Sequence, residues 1–160
     1  METFFAWVQQ LPLSMWIAQS DGVWGYPTIL TAHVLSMGML VGTATILAFR
    51  LLGWFGDSAP MEGAGRLFTL ITVNFCINLA SGTMLFMAAA SDRGFQPMFY
   101  IKLVCVAAAL YFTLRMRRNF VPAGATEQAV VPQENHILGY TVLALWTAGI
   151  ITGRLIAYVK

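Results

Sequence analysis

Four long apolar stretches dominate this chain, at about residues 24–52, 67–90, 99–114 and 137–159. A helix that crosses the ~30 Å hydrocarbon core of a bilayer needs roughly 20 apolar residues, and three of the stretches reach that length while the third is shorter. Only 10% of the residues are charged, against about 25% in soluble domains. We therefore predict one all-α domain over residues 1–160, an integral membrane four-helix bundle.

The segment before the first stretch, residues 3–19, is too short to span a membrane and is interrupted by a proline. It carries several large aromatic side chains, which favour the headgroup region of a bilayer: Phe4, Phe5, Trp7 and Trp16. We expect this segment to be amphipathic and to lie at the membrane interface.

Basic residues are unequally divided between the two ends of the predicted bundle. One end carries Arg50, Arg66, Arg115, Arg117 and Arg118, and the other carries Arg93 and Lys160 outside the hydrocarbon. The positive-inside rule places the first end in the cytoplasm and both termini outside, in a bacterial inner (plasma) membrane. Membrane lipid is thus an expected partner. Nucleic acid is not, because the net charge is only +2 and no dense basic face exists.

Small and amide side chains recur every fourth residue in three of the spans, and so share one helix face in each. Because lipid provides no hydrophobic force between helices, such faces are where helices pack and form hydrogen bonds. These residues are Gly38 and Gly42, then Asn74, Asn78 and Gly82, then Gly149 and Gly153. We expect these faces to meet inside an antiparallel bundle whose short loops make sequence neighbours pack together.

Three ionisable residues fall inside the spans, where charge is costly and usually functional. From the helical rise, His33 lies about 10 Å from the outer end of its span, Lys102 about 7 Å and Arg154 about 9 Å. The three residues are therefore predicted to share one layer of the outer leaflet.

A neutral imidazole near two cations suits an anionic, partly apolar ligand, and b-type haem fits this description. His33 would ligate the iron, and Lys102 and Arg154 would hold the propionates. Met84 or Met87 is the candidate for a second axial ligand. Asn78 is expected to orient the imidazole. His136 starts the fourth span at the opposite end, so a haem ligated by both histidines is not expected.

Other interpretations of the same residues remain open. His33 can instead form a hydrogen bond across helices to Asn78 or a threonine, while Lys102 and Arg154 extend to the interface as anchors. His33 and methionines can handle copper. A cofactor-free accessory scaffold that binds other membrane helices is a further alternative. Whether the chain is an enzyme stays undecided at this point.

Four sequence runs resemble an uncharacterised family of bacterial four-helix membrane proteins. They are YPTILTAHVLSMGMLVGTATILAFRLLG (26–53), GRLFTLITVNFCINLASGTMLF (65–86), FQPMFYIKL (95–103) and LWTAGIITGRLIAYV (145–159). The layout, with a histidine early in the first span and a lysine entering the third, is also similar to HemJ-type protoporphyrinogen oxidases and, more loosely, to CopD-type copper proteins.

The HemJ-type resemblance implies that His33 and Lys102 form the functional pair, with Arg66 as a third site residue. The N-terminal segment and Arg154 are departures from that family. Together, the residues and the resemblance predict a haem-binding protein in redox chemistry. It would be either an electron-transfer subunit of a membrane complex or an oxidase of a tetrapyrrole-like substrate. The expected partners are other membrane subunits or further copies of the chain.

Overall fold

The computed structural model describes residues 2–20, 22–54, 63–120, 135–156 and 158, a part of the chain that is helical and contains no strand. Its helices are α1 (Glu2–Gln9), α2 (Pro12–Gln19), α3 (Tyr26–Leu51), α4 (Ala64–Ala88), α5 (Ala90–Arg93), α6 (Pro97–Phe120) and α7 (His136–Leu155). Within these residues, α3, α4, α6 and α7 are long and apolar enough to cross a membrane. The predicted all-α helical membrane bundle is confirmed.

The third span differs most from its predicted bounds of 99–114. Helix α6 begins at Pro97 and continues past Leu114 to Phe120, through the arginines Arg115, Arg117 and Arg118. Arginine is a good helix former, and its long side chain can reach water from the end of a spanning helix. Hydropathy therefore falls before the helix ends, and the span was predicted too short for this reason.

The four long helices form two antiparallel pairs. His33, near the start of α3, meets Gly82 near the end of α4, and Lys102, near the start of α6, meets Gly153 near the end of α7. We call the end of the bundle at which α3 and α6 begin the histidine end. The opposite end, at which α4 and α7 begin, is the arginine end.

The two pairs join chiefly through α3 and α7, whereas α4 and α6 make little contact. A Cβ built on Gly139 of α7 would lie 3.0 Å from the Leu52 side chain and 3.2 Å from the Ala48 carbonyl oxygen. This glycine therefore lets α7 approach the end of α3 closely. The expectation that sequence neighbours pack together holds for α3 with α4 and for α6 with α7, and is wrong for α4 with α6.

The apolar core lies towards the arginine end. It includes Leu40 and Leu47 of α3, Phe68 and Ile71 of α4, Phe120 of α6 and Trp146 of α7, all fully or almost fully buried. Trp146 also donates a hydrogen bond from its Nε1 to Oγ1 of Thr113, at 3.0 Å. Towards the histidine end, α3 and α4 also bury four polar side chains: Ser36, Asn74, Asn78 and Ser81.

Two of the predicted small-residue faces form helix contacts, and one does not. Gly149 packs against Val106, and Gly153 packs against Lys102. Gly38 and Gly42 are exposed, and no atom of the described residues lies within 4 Å of a Cβ built on either. The prediction that their face meets another span is wrong, because the buried stripe of α3 runs instead along His33, Ser36, Leu40, Ala44 and Leu47, on another side of the helix.

The N-terminal segment consists of two short helices that fold back onto the histidine end, where α1 packs against α5 and α2 against α4. The backbone N–H of Ser91 donates to the Gln9 side-chain oxygen at 3.2 Å. Phe5 makes an edge-to-face contact with Phe95, with ring centroids 5.3 Å apart. Trp7 and Trp16 are more than half exposed, whereas Phe5 packs inwards, so the predicted aromatic residues do not all lie on one outer face.

Candidate functional site

The His33 imidazole bridges α3 to α4 through its Nδ1 atom. This atom lies 3.1 Å from the backbone carbonyl oxygen of Asn78 and 3.0 Å from Oγ of Ser81. A carbonyl oxygen only accepts hydrogen bonds, and the Ser81 hydroxyl donates to the Ile77 carbonyl at 2.7 Å. The hydrogen-bond partners therefore assign the proton to Nδ1.

This tautomer leaves the lone pair of the ring on Nε2. Among the described residues, the Nε2 atom of His33 has no hydrogen-bond partner. The half-buried imidazole is thus held by one nitrogen and offers the other as an acceptor or a metal ligand, which is the arrangement found in metal-binding histidines.

The Asn78 side chain holds the backbone that carries His33. Its Nδ2 donates to the His33 carbonyl oxygen at 2.9 Å and to Oγ of Ser36 at 3.3 Å, and the Ser36 hydroxyl donates to that same carbonyl at 3.0 Å. Asn78 was predicted to orient the imidazole. The structure brings the two residues together, with the main-chain carbonyl of Asn78 on the ring and its amide on the backbone of α3.

Gly82 lies against the Cε1 edge of the imidazole. A Cβ built there would be 3.0 Å from Cε1 and 3.5 Å from Nδ1 of His33. The sequence analysis did not predict the hydrogen bonds of Ser36 and Ser81 or the contact of Gly82 with the imidazole ring. The available signal was spacing, since Ser36 follows His33 by three residues and Ser81 follows Asn78 by three, which places each pair on one helix face.

Lys102 approaches the same layer from the other helix pair. Its half-buried side chain lies over α7, with Cε 3.3 Å and Nζ 3.4 Å from a Cβ built on Gly153. No acidic side chain of the described chain forms an ion pair with Lys102. Lys102 is therefore a half-buried cation without an ion-pair partner in the described part of the chain.

The structure shows no hydrogen bond between His33 and the other predicted site residues in the part of the chain that it describes. Arg154 is exposed, with its guanidinium carbon 5.8 Å from the centre of the Tyr158 ring. Met84 and Met87 are half-buried, on α4 beyond Gly82 towards the histidine end. Arg66 is exposed in the first turn of α4, about 18 Å along the helix from Asn78, so the structure does not bring it to His33.

The second histidine is remote from the site. His136 is the first residue of α7, at the arginine end, and lies about 26 Å along that helix from Gly153. In the described residues, no group of three or more His, Cys, Asp or Glu side chains comes together. Any metal held at this site would therefore be bound by His33 together with a methionine thioether or with a chelating molecule that carries the metal.

Aromatic rings close the histidine end between α4 and α6. Phe86 and Phe99 stack with centroids 4.9 Å apart and an interplanar angle of 15°. Phe5 of α1 contacts Phe86 at 6.1 Å, edge to face. This cluster, which was not predicted, links the N-terminal helices to the two spans that carry Asn78 and Lys102.

Comparisons of the chain with protein-family models, with curated proteins and with solved structures find no match.

Proposed function

We propose that this chain is a membrane redox protein that binds b-type haem through Nε2 of His33. The observation that carries the proposal is the hydrogen bond from Nδ1 to the Asn78 carbonyl, which leaves the Nε2 lone pair free in an apolar bundle. In haem and other metal proteins, a ligating histidine typically donates its second ring N–H in this way.

The donor set fits a haem better than an isolated metal ion. A metal ion bound by side chains alone calls for several ligands, and no group of three His, Cys, Asp or Glu is assembled in the described residues. A haem brings four nitrogen ligands of its own and needs one or two from the protein. Its propionates also need cations, and Lys102 is a half-buried cation with no acidic partner among the described residues.

Each side chain of the site would have a distinct task. Asn78 and Ser81 hold the imidazole in one tautomer and one orientation. Lys102 would hold a propionate, and Met84 or Met87 remains the candidate for the second axial position. Arg154 could join Lys102 only by leaving the Tyr158 ring. A bound haem would supply a one-electron iron couple.

The wider role proposed is that of an electron-transfer subunit of a membrane complex, or of an oxidase of a tetrapyrrole-like substrate. The spans occupy most of the chain and leave little room for a soluble substrate domain, so we propose a membrane partner or a second copy. We also propose that the protein lies in a bacterial inner membrane with both termini outside. Labelling of single cysteines introduced at Gln10 and Arg118 with a membrane-impermeant reagent tests this orientation.

Purification of the full chain in a mild detergent with added haem tests the central proposal. We expect a Soret band and about one haem per chain, and we expect His33→Ala to lose both. His136→Ala is the matched control, because it removes the other histidine at the opposite end of the bundle. It should keep the band.

Absence of a Soret band from the haem-supplemented wild-type protein would overturn the proposal. Metal analysis of the same sample separates the alternatives. Stoichiometric copper that is lost in His33→Ala would indicate copper handling. The absence of both haem and metal, together with unchanged assembly of His33→Ala, would indicate an accessory scaffold.

A further inference from the structure

A groove runs between α4 and α6 at the arginine end, where these two helices separate. It has a volume of about 210 Å³ and is lined by Phe68, Thr69, Thr72 and Val73 of α4 and by Leu114 and Arg117 of α6. A second depression of about 240 Å³ adjoins it across Leu114 and is lined by Tyr111, Arg115 and Arg118. Both lie on helices long and apolar enough to span a membrane.

The walls of the groove are effectively apolar, although two of the lining residues are threonines. The Thr69 hydroxyl donates to the Gly65 carbonyl at 3.0 Å, and the Thr72 hydroxyl donates to the Phe68 carbonyl at 2.9 Å. These donors are therefore used within α4. Val73 and Leu114 are each more than 40% exposed, so the groove presents hydrocarbon surface to its surroundings.

The groove has a strongly polar, positive end. Arg117 lines the groove at this end. Arg115 and Arg118, which are about one helical turn apart on α6, line the adjoining depression. The described residues at the arginine end include no acidic side chain. The Phe68 and Phe120 rings, whose centroids are 6.0 Å apart, join α4 to the last residue of α6 at this end of the bundle.

We propose that this groove is a binding site for one anionic phospholipid. An acyl chain would lie along Thr72 and Val73, and the phosphate would be held by Arg117 with Arg118 beside it. A surface that combines apolar walls inside the membrane with clustered arginines at its edge matches a lipid with a negative headgroup. A soluble anion would not use the apolar wall, and a neutral lipid would not use the arginines. The site is separate from the haem proposal, because it lies at the opposite end of the bundle.

Native mass spectrometry of the full chain in a neutral detergent tests the proposal. Phosphatidylglycerol and phosphatidylcholine with identical acyl chains are titrated separately. We expect one phosphatidylglycerol to bind more tightly than any phosphatidylcholine. Loss of one guanidinium near a lipid surface is expected to lower affinity about fivefold in Arg117→Gln. Arg93→Gln, at the histidine end, is the matched charge control and should bind phosphatidylglycerol as the wild type does.

A second pair of variants tests the apolar wall without removing a charge. Thr72→Phe fills the groove and should weaken binding of phosphatidylglycerol. Thr83→Phe makes the same change at an exposed threonine further along α4, whose hydroxyl also donates within its own helix. It should leave binding unchanged. Circular dichroism and size-exclusion profiles identify any variant that fails to fold.

Three results of these lipid titrations would overturn the proposal. They are equal binding of both lipids, wild-type affinity in Arg117→Gln when that variant is folded, and equal effects of Thr72→Phe and Thr83→Phe. Displacement of phosphatidylglycerol by millimolar inorganic phosphate would also overturn it, because the site would then recognise a free anion and not a lipid.

Discussion

The imidazole of His33 meets Gly82 through the Cε1 edge of the ring: a Cβ built on this glycine would lie 3.0 Å from Cε1. An imidazole held this closely against a neighbouring helix has few alternative positions. The same contact makes Gly82 a sensitive point for testing how the site is built.

Gly82→Ala should displace the ring and lengthen both hydrogen bonds of Nδ1. Loss of such supporting contacts typically costs 10- to 100-fold in metal affinity, so we expect haem binding to weaken by at least about tenfold. Titration of the detergent-solubilised protein with haem measures this. Gly38→Ala is the matched control, because nothing in the described chain lies near its added methyl group. Unchanged haem affinity in Gly82→Ala would show that the contact does not position the imidazole.

Asn78→Ala should destabilise the pairing of α3 with α4. The change removes both inter-helix hydrogen bonds of the amide, and among the described side chains only the Ser36 hydroxyl then donates to the His33 carbonyl. We expect the free energy of unfolding to fall by about 1–2 kcal/mol, as measured by unfolding in mixed micelles.

The matched control for this change is Asn74→Ala. The Asn74 amide donates to the Leu70 carbonyl of its own helix at 2.9 Å, so its removal should cost clearly less. Equal losses in the two variants would contradict a specific role for Asn78 between the helices.

Gly139→Ala should destabilise the protein, whereas Gly38→Ala should not. The added methyl group at Gly139 meets the Leu52 side chain and the Ala48 carbonyl at 3.0 and 3.2 Å, which is expected to cost about 1–3 kcal/mol. At Gly38 the methyl group meets no described atom, so the higher helix propensity of alanine should be neutral or slightly stabilising. Thermal unfolding of the purified protein compares the two variants. A loss of stability in Gly38→Ala would indicate that another surface covers this face.

Trp146→Phe should destabilise the apolar core. The substitution removes the Nε1–H group whose hydrogen bond Thr113 Oγ1 accepts inside the core, and it also reduces the buried volume. We therefore expect the free energy of unfolding to fall by about 1–3 kcal/mol. Trp24→Phe is the control, because Trp24 is 76% exposed and should change stability by less than about 0.5 kcal/mol. Comparable losses would place Trp146 outside the core.

The site was predictable in part. The rule that ionisable residues are rare in hydrocarbon identified His33 and Lys102, and the structure places both towards the histidine end, His33 beside Gly82 of α4 and Lys102 beside Gly153 of α7. The same rule and the same depth estimate selected Arg154, whose side chain extends outwards to Tyr158. Depth is a one-dimensional quantity and can be read from residue number. The direction of a side chain around its helix also matters, and it depends on which neighbouring helix is present.

The amino-acid sequence by itself determined that four helices of this chain can cross a membrane. Hydrocarbon excludes charge and leaves the backbone no partner except itself, and both effects act on each stretch independently of the others. The sequence also determined how deep each polar residue lies along its span. The histidine, the asparagines and the lysine could be singled out as a group for this reason.

Only the tertiary structure decided which faces meet. Gly38 and Gly42 share the spacing of Gly149 and Gly153, yet the first pair is exposed while the second packs against α6. The Asn78 side chain donates hydrogen bonds to His33 and Ser36, so the side of α3 that packs against α4 is not the side that carries Gly38 and Gly42. Helix pairing is decided by contacts between residues far apart in the chain, and no local pattern carries that information.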